Sequence, residues 1–406
     1  MSFDLLLKGG HLIDPKNGLD GPMDLAITRG KVAAVDREIP SEQARKVLDV
    51  SGLYVTPGLV DIHSHMYATP GHRRAWAGDN SILPDGFSFR SGVTTMVDTG
   101  SAGWRNFEDF RFRVIDRFQT RKFAFLNIVG LGMVANDIEQ NVHDMSVERA
   151  VAVCRENADV IVGMKTAHYY APDWTSVDLA LAAGKELGLP TMVDFGFFCK
   201  ERPYYKLVTE RMGAGDITTH MYLAAIPWVG PDGKVPNFFY EARKRGVIFD
   251  VGHGAGSFVF RNAVPSIEQG FYPDSISTDL HTLSMNAEMM DMTTVMSKFL
   301  AMGMPLEEIV RESTINPAME INHSELGHLT VGAVADVAVL GAQQGNFGYI
   351  DVAGGRLRGK ERLICEMTLK DGEVVWDWNG RTGTDYGELG LTYGLRDVDQ
   401  LILPES

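Results

Sequence analysis

Thr56-Pro57-Gly58-Leu59-Val60-Asp61-Ile62-His63-Ser64-His65-Met66-Tyr67 is the stretch whose reading decides the rest of the chain. A Pro-Gly break followed by a short aliphatic run reads as a sharp turn into a buried strand. His63 and His65 close it at i, i+2 spacing, which in a strand puts both imidazoles on one face, where they can converge on one metal ion. Histidines so spaced also occur on polar strand edges, so the reading depends on partners elsewhere.

Working outward, apolar runs follow Gly, Pro or polar breaks again and again, at 93–98, 124–129, 160–164, 191–193, 216–219, 247–251 and 275–277. With 59–62 they number eight. Helical patterns precede most of them, for example 177–187 and 241–244, each stopped by a glycine, Gly188 or Gly246. Eight such alternations predict an α/β chain closed as a (β/α)8 barrel over 57–326. A doubly wound open sheet is the structural alternative, but no Gly-x-Gly-x-x-Gly follows a first strand.

The flanks read differently. Residues 3–8, 11–13, 24–27, 31–36 and 47–55 are short strands, with hairpin-like turns at Gly9-Gly10 and Arg29-Gly30. Similar patterns return at 329–340 and at 365–378, where Asp371-Gly372 is a two-residue turn. Neither piece is long enough to bury a core alone, so 1–56 and 327–406 are expected to join in one composite β-sandwich. Asp336 is read as turn chemistry in this layer, and the methionine-rich stretch 285–304 as a packing helix.

In a parallel barrel, the residues that close the strands surround one mouth. Here those residues are His63 and His65, Lys165, Asp194, His220 and Asp279, drawn from five different strands. Lys165 ends an apolar strand, and desolvation there favours its neutral amine. That amine can add carbon dioxide to give a carbamate able to bridge two metal ions. A lone strand-end lysine would otherwise reach for solvent.

Composition sets limits. The 406 residues carry 38 Lys and Arg against 53 Asp and Glu, a net charge of −15 that repels nucleic acid and anionic membranes. Cys154, Cys199 and Cys365 are odd in number and scattered, as in a reducing compartment. No stretch approaches eighteen consecutive apolar residues, and residues 1–7 lack the basic, extended character of a signal peptide. A cytoplasmic homo-oligomer is expected.

These residues resemble the amidohydrolase superfamily of metal-dependent hydrolases, in its binuclear form. That pattern is His-x-His on the first strand, a carboxylated Lys on the fourth, His on the fifth and sixth, and Asp on the eighth. Within it the chain is most similar to the amidohydrolase/deacetylase group, related to dihydroorotase-like enzymes. The likeness is carried by Ser275-Ile276-Ser277-Thr278-Asp279-Leu280-His281, Asp250-Val251-Gly252-His253-Gly254 and Asn316-Pro317-Ala318. The resemblance implies one or two divalent metals, zinc with manganese as the alternative, held by His63, His65, Lys165 as carbamate, Asp194 and His220. Asp279 is the general acid/base for a metal-activated hydroxide.

One residue departs from the pattern. Asp194 stands where the fifth-strand histidine belongs, and it is read as an oxygen ligand, as the mark of a weaker metal position, or as a second base. His168 could then compensate as a ligand, touch substrate, or be satisfied by backbone. His253 and His281 are further candidates for substrate binding. The 66–81 loop, with His72, Arg73, Arg74, Trp76 and Asp79, is expected to cover substrate. The expected reaction is hydrolysis of an amide, N-acyl bond or related ester in a small, carboxylate-bearing molecule. The alternatives are hydrolytic deamination of a cyclic amidine and a non-catalytic scaffold.

Overall fold

A computed structural model describes residues 3–69 and 80–396. The candidate loop residues His72, Arg73, Arg74, Trp76 and Asp79 lie outside them. Two sheets organise the described chain. The first holds β1 (Phe3–Asp14), β2 (Leu19–Thr28), β3 (Lys31–Asp36), β4 (Ala44–Asp49) and β5 (Tyr54–Pro57), together with β13 (Val337–Ile350), β14 (Arg356–Lys370) and β15 (Glu373–Asp377). Its order is β15-β14-β13-β5-β1-β2-β3, with β4 pairing β1. The termini are thus joined by backbone hydrogen bonds, β5 running antiparallel to β13 from Pro57↔Val337 to Tyr54↔Leu340. Leu7, Leu12, Leu25, Val55, Val337 and Leu369 form its main core.

The expected turn at Gly9-Gly10 is instead a register shift inside one continuous strand, since β1 stays paired with β2 on both sides of it. A glycine pair can open a β-bulge as readily as a hairpin. Arg29-Gly30 and Asp371-Gly372 do turn, each with φ positive at both residues, as two-residue hairpins require.

The second sheet is parallel, in the order β12-β11-β10-β9-β8-β7-β6. Its strands are β6 (Leu59–Ser64), β7 (Val93–Gly103), β8 (Arg121–Asn127), β9 (Ile161–Thr166), β10 (Thr191–Val193), β11 (Ile217–Thr218) and β12 (Ile248–Phe249). The eighth predicted run forms no strand of its own. Residues 275–280 bridge both edges of the sheet, through Asp250↔Ser275 on one side and Ser64↔Leu280 on the other. Val60, Ile62, Val97, Phe125, Val162, Met192 and Ile217 pack together on one face of this sheet. Leu59, Met96, Ala124 and Met164 belong to the larger cluster that includes the helices. Each aliphatic side chain buried this way contributes about 1.5–3 kcal/mol.

The helix Thr175–Leu187 ends at Gly188 in the left-handed conformation, as its sequence predicts. The methionine-rich stretch does not form one helix. It divides into Thr282–Met285 and Met292–Ala301, the second started by Asp291, whose side chain accepts from Thr294 N–H. Among the described residues no helix is long and apolar enough to cross a membrane.

Candidate metal centre

The strand ends bring most of the sequence candidates together, and three imidazoles there are each held at Nδ1 by an oxygen. His63 Nδ1 lies 2.8 Å from Thr219 Oγ1, which donates its own proton to Asp250 Oδ2 at 2.6 Å. The hydroxyl oxygen therefore accepts from Nδ1–H, and Nε2 keeps its lone pair. Burial, then the positive field of Lys165, holds His63 well below the ordinary histidine range, so it is neutral. His65 Nδ1 is held by Ser101 Oγ at 2.9 Å, and His220 Nδ1 donates to Gly252 O at 2.6 Å.

The other ring nitrogens face carboxylates. Asp279 Oδ1 lies 3.6 Å from His63 Nε2 and 3.2 Å from His65 Nε2. It is buried and has no hydrogen-bond partner. One donor atom from each of His63, His65 and Asp279 falls within 4.8 Å of the others. These three side chains, with each imidazole fixed from behind by an oxygen, form a donor set suited to a divalent cation.

Asp194 repeats the arrangement on the other side. Its Oδ2 lies 3.5 Å from His220 Nε2 and 3.2 Å from His168 Nε2. Burial works against its charge, but His220 and His168 outweigh it and keep the carboxyl ionised well below its usual range. Lys165 is fully buried in β9. Its Nζ meets the Met192 thioether at 3.6 Å, and burial lowers its pKa against the pull of Asp194 and Asp279.

His281 is a helix cap, accepting from Ser284 N–H at 3.3 Å, with Nε2 3.8 Å from Asp279 Oδ2. Burial lowers it to about 4 and leaves it neutral. His253 is fully buried and stacked on Phe258, centroids 4.5 Å apart. Its Nδ1 is 2.9 Å from Gly254 O and its Nε2 is 2.7 Å from Lys298 Nζ, so both ring nitrogens are engaged inside the protein. In this geometry it has no donor to offer a substrate.

Several contributors escape a reading of strand ends. Asp250 accepts from Thr219, Ser275 and Ser277 and so fixes the support behind His63. Asp61, pushed up to about 7 by burial, ties His63 N–H to Thr278, next to Asp279. Glu139 sits on the short helix Asn136–Glu139 and holds His168 Nδ1 at 3.2 Å. Asp250 had a signal, a carboxylate opening the quoted Asp250-Val251-Gly252-His253; Glu139 had none. His168, His220 and Asp279 also carry positive φ, 54°, 59° and 52°, without being glycine. Such strain persists where the surroundings impose it and gathers at functional sites.

Known proteins share this architecture. An adenine deaminase structure superimposes with TM-score 0.82 at 26% identity, covering 92% of this chain and all of that one. A dihydroorotase structure gives 0.77 at 31%, covering 92% and 97%. A deacetylase of Agrobacterium fabrum is 36% identical over 321 residues, 76% of each chain. The profile of the amidohydrolase family matches residues 258–361. With relatives of this identity covered over most of their length, the chain belongs to the amidohydrolase family.

Proposed function

We propose that this protein is a metal-dependent hydrolase of carbon–nitrogen bonds that removes the acyl group from a small N-acyl acid or opens a cyclic amide. The observation that carries the reading is Asp279 Oδ1, buried, without a donor, and faced by two imidazole nitrogens. The relatives named deacetylase, dihydroorotase and adenine deaminase support the reaction class. The chain divides into a (β/α)8 barrel over 57–326 and a composite β-layer from 1–56 and 327–406, which the edge bridges at Ser275 and Leu280 and the β5–β13 pairing support.

His63, His65 and Asp279 hold one divalent cation, zinc or manganese, and Lys165, Asp194 and His220 face it from the neighbouring strands. A cation bound there supplies Lewis acidity toward a carbonyl oxygen and lowers the pKa of water. Lys165, buried against a thioether that is a poor acceptor for an ammonium, takes up carbon dioxide as a neutral amine. The N–C bond forms, one proton leaves, and a positive side chain becomes an anionic one. Burial works against the charge of Asp279, but the imidazoles around it outweigh burial and hold the carboxyl below its usual range. It accepts the proton of the attacking water and returns it to the leaving nitrogen. His281 lies beside Asp279 and is placed to meet substrate. His253 holds the turn 252–254, whose Gly254 packs directly on the Asp279 carboxylate.

The test is a panel of N-acyl amino acids, cyclic amides and amino-substituted heterocycles, supplied with zinc and bicarbonate. Release of free amino acid or a ring-opened acid is expected. Ammonia release from the heterocycles alone would move the activity to deamination, and no turnover across the panel would remove the reading.

A further inference from the structure

Lys298 is fully buried on the helix Met292–Ala301, yet its amine reaches three other parts of the chain. Nζ lies 2.7 Å from Glu288 O, 2.8 Å from Ile350 O at the end of β13, and 2.7 Å from His253 Nε2. An ammonium has three protons to give and no lone pair, so the imidazole accepts at Nε2 and carries its own proton on Nδ1. Nδ1–H then donates to Gly254 O at 2.9 Å. Burial pulls the lysine down to about 7, with Glu288 and Asp351 pulling the other way, and three acceptors around it favour the charged form.

The end of β13 holds His253 from a second side as well. Val352 N–H donates to Phe258 O at 3.1 Å, and Asp351 Oδ2 accepts from Phe260 N–H at 2.9 Å. Phe258 is the ring on which His253 stacks, the two planes 9° apart. Lys298 thus sets the tautomer of the histidine, and Phe258 sets its plane.

The turn that His253 closes touches the site directly. Gly252 and Gly254 take φ of 46° and 53°, and Gly252 O accepts from His220 Nδ1 at 2.6 Å. A Cβ on Gly252 would lie 3.0 Å from His63 Nδ1, and one on Gly254 would lie 2.3 Å from Asp279 Oδ2. Packing this close leaves no slack, so a displaced turn displaces the His220 ring and the Asp279 carboxylate. We propose that Lys298 is a positioning residue of the metal centre: through His253 it holds the turn 252–254 against His220 and Asp279, and it makes the end of β13, from the other sheet, part of that support. The inference rests on the metal-dependent reading above and adds to it a residue that touches neither metal nor substrate.

The full-length protein, stripped by chelator, is titrated with Zn2+ in competition with a chromogenic chelator, and its thermal midpoint is measured alongside. Lys298→Met keeps the length of the side chain and removes its donors; it should weaken zinc binding by about 10–100-fold. Ser297→Ala is the control, since the neighbouring Ser297 fastens the same helix to β14 by accepting from Leu363 N–H at 2.9 Å and does not meet His253. It should lower the thermal midpoint and leave zinc affinity as in the wild type. Wild-type zinc affinity in Lys298→Met, or an equal loss in Ser297→Ala, would overturn the inference, the lysine then only holding the helix against β13. A wild type that binds no zinc removes the metal-dependent reading itself. Should Lys298→Met fail to fold, Lys298→Gln, which keeps an N–H donor without the charge, is measured in its place. If neither folds, Lys298 serves the fold and not the site, and the inference falls.

Discussion

Asp279 combines a left-handed backbone, a buried oxygen without a donor and two facing imidazoles. Replacing it by Asn keeps the shape and one oxygen but removes the base, so Asp279→Asn should lower kcat by about 10^2–10^4-fold, measured by steady-state hydrolysis. Glu312 offers a test away from the site. Its Oε2 is buried without a partner, and burial, then Asp274 and Glu308, raise its pKa well above the ordinary range. The folded state thus keeps a proton that the unfolded chain releases above about 4.3. Stability is full below that pH and falls as pH rises toward the folded value. Glu312→Gln should therefore stabilise the protein by about 1–3 kcal/mol at pH 8 and leave it unchanged at pH 4, read by urea melts at both. At this scale the sequence was legible where a residue closed an apolar run, as with His63, Lys165 and His220. Glu139 was not, because its place beside His168 depends on two loops meeting in space.

Among the elements, β9 and β7, on either side of β8, set the position of Lys165. Gly100, at φ 87°, leaves the room that side chain fills: a Cβ there would lie 2.6 Å from Lys165 Cγ and 2.9 Å from its Cβ. Gly100→Ala should cost about 1–3 kcal/mol and displace the lysine, seen as a lower denaturation midpoint together with weaker metal uptake. The parallel strands were legible because each is a short apolar run between breaks. The eighth run forms no strand of its own: two isolated bridges and backbone bonds to Val251, His253, Gly254 and the His63–His65 segment join it to the sheet, while Ser275 and Thr278 donate their side-chain hydroxyls to Asp250 and Asp61. The paired arms of β13 and β14, reaching Ile350 and Arg356, were missed because Gln343–Gly348 and Arg356–Glu361 are polar and rich in glycine and charge. The division of the 285–304 stretch was equally hidden, since methionine spacing suits a helix whether or not Asp291 starts a new one.

For the whole molecule, the two sheets are fastened at Arg121. From β8 its guanidinium donates to Asp336, just before β13, and through Nη2 to Asp371 at 3.0 Å in the β14–β15 turn. Asp336 also accepts from Asp371 N–H at 2.8 Å, so the turn chemistry expected of it serves a joint between layers. Asp336 is mostly buried and Arg121 only about a fifth exposed, so this pair is worth more than a surface ion pair. Arg121→Ala should lower stability by about 2–4 kcal/mol in urea unfolding, leaving the site's metal affinity unchanged. The joining of both termini in one sheet was foreseeable from their shortness; the residue that fastens that sheet to the parallel one was not, because it lies on a strand of the other.

The central claim is that the strand-end cluster hydrolyses carbon–nitrogen bonds only with a metal bound. Its most direct test is the initial rate of N-acyl amino acid hydrolysis by chelator-stripped protein, followed as Zn2+ is added back in bicarbonate. The account predicts no rate above background in the stripped protein and recovery that rises in step with the first equivalent bound. Full activity in stripped protein, unaffected by added metal, would contradict it.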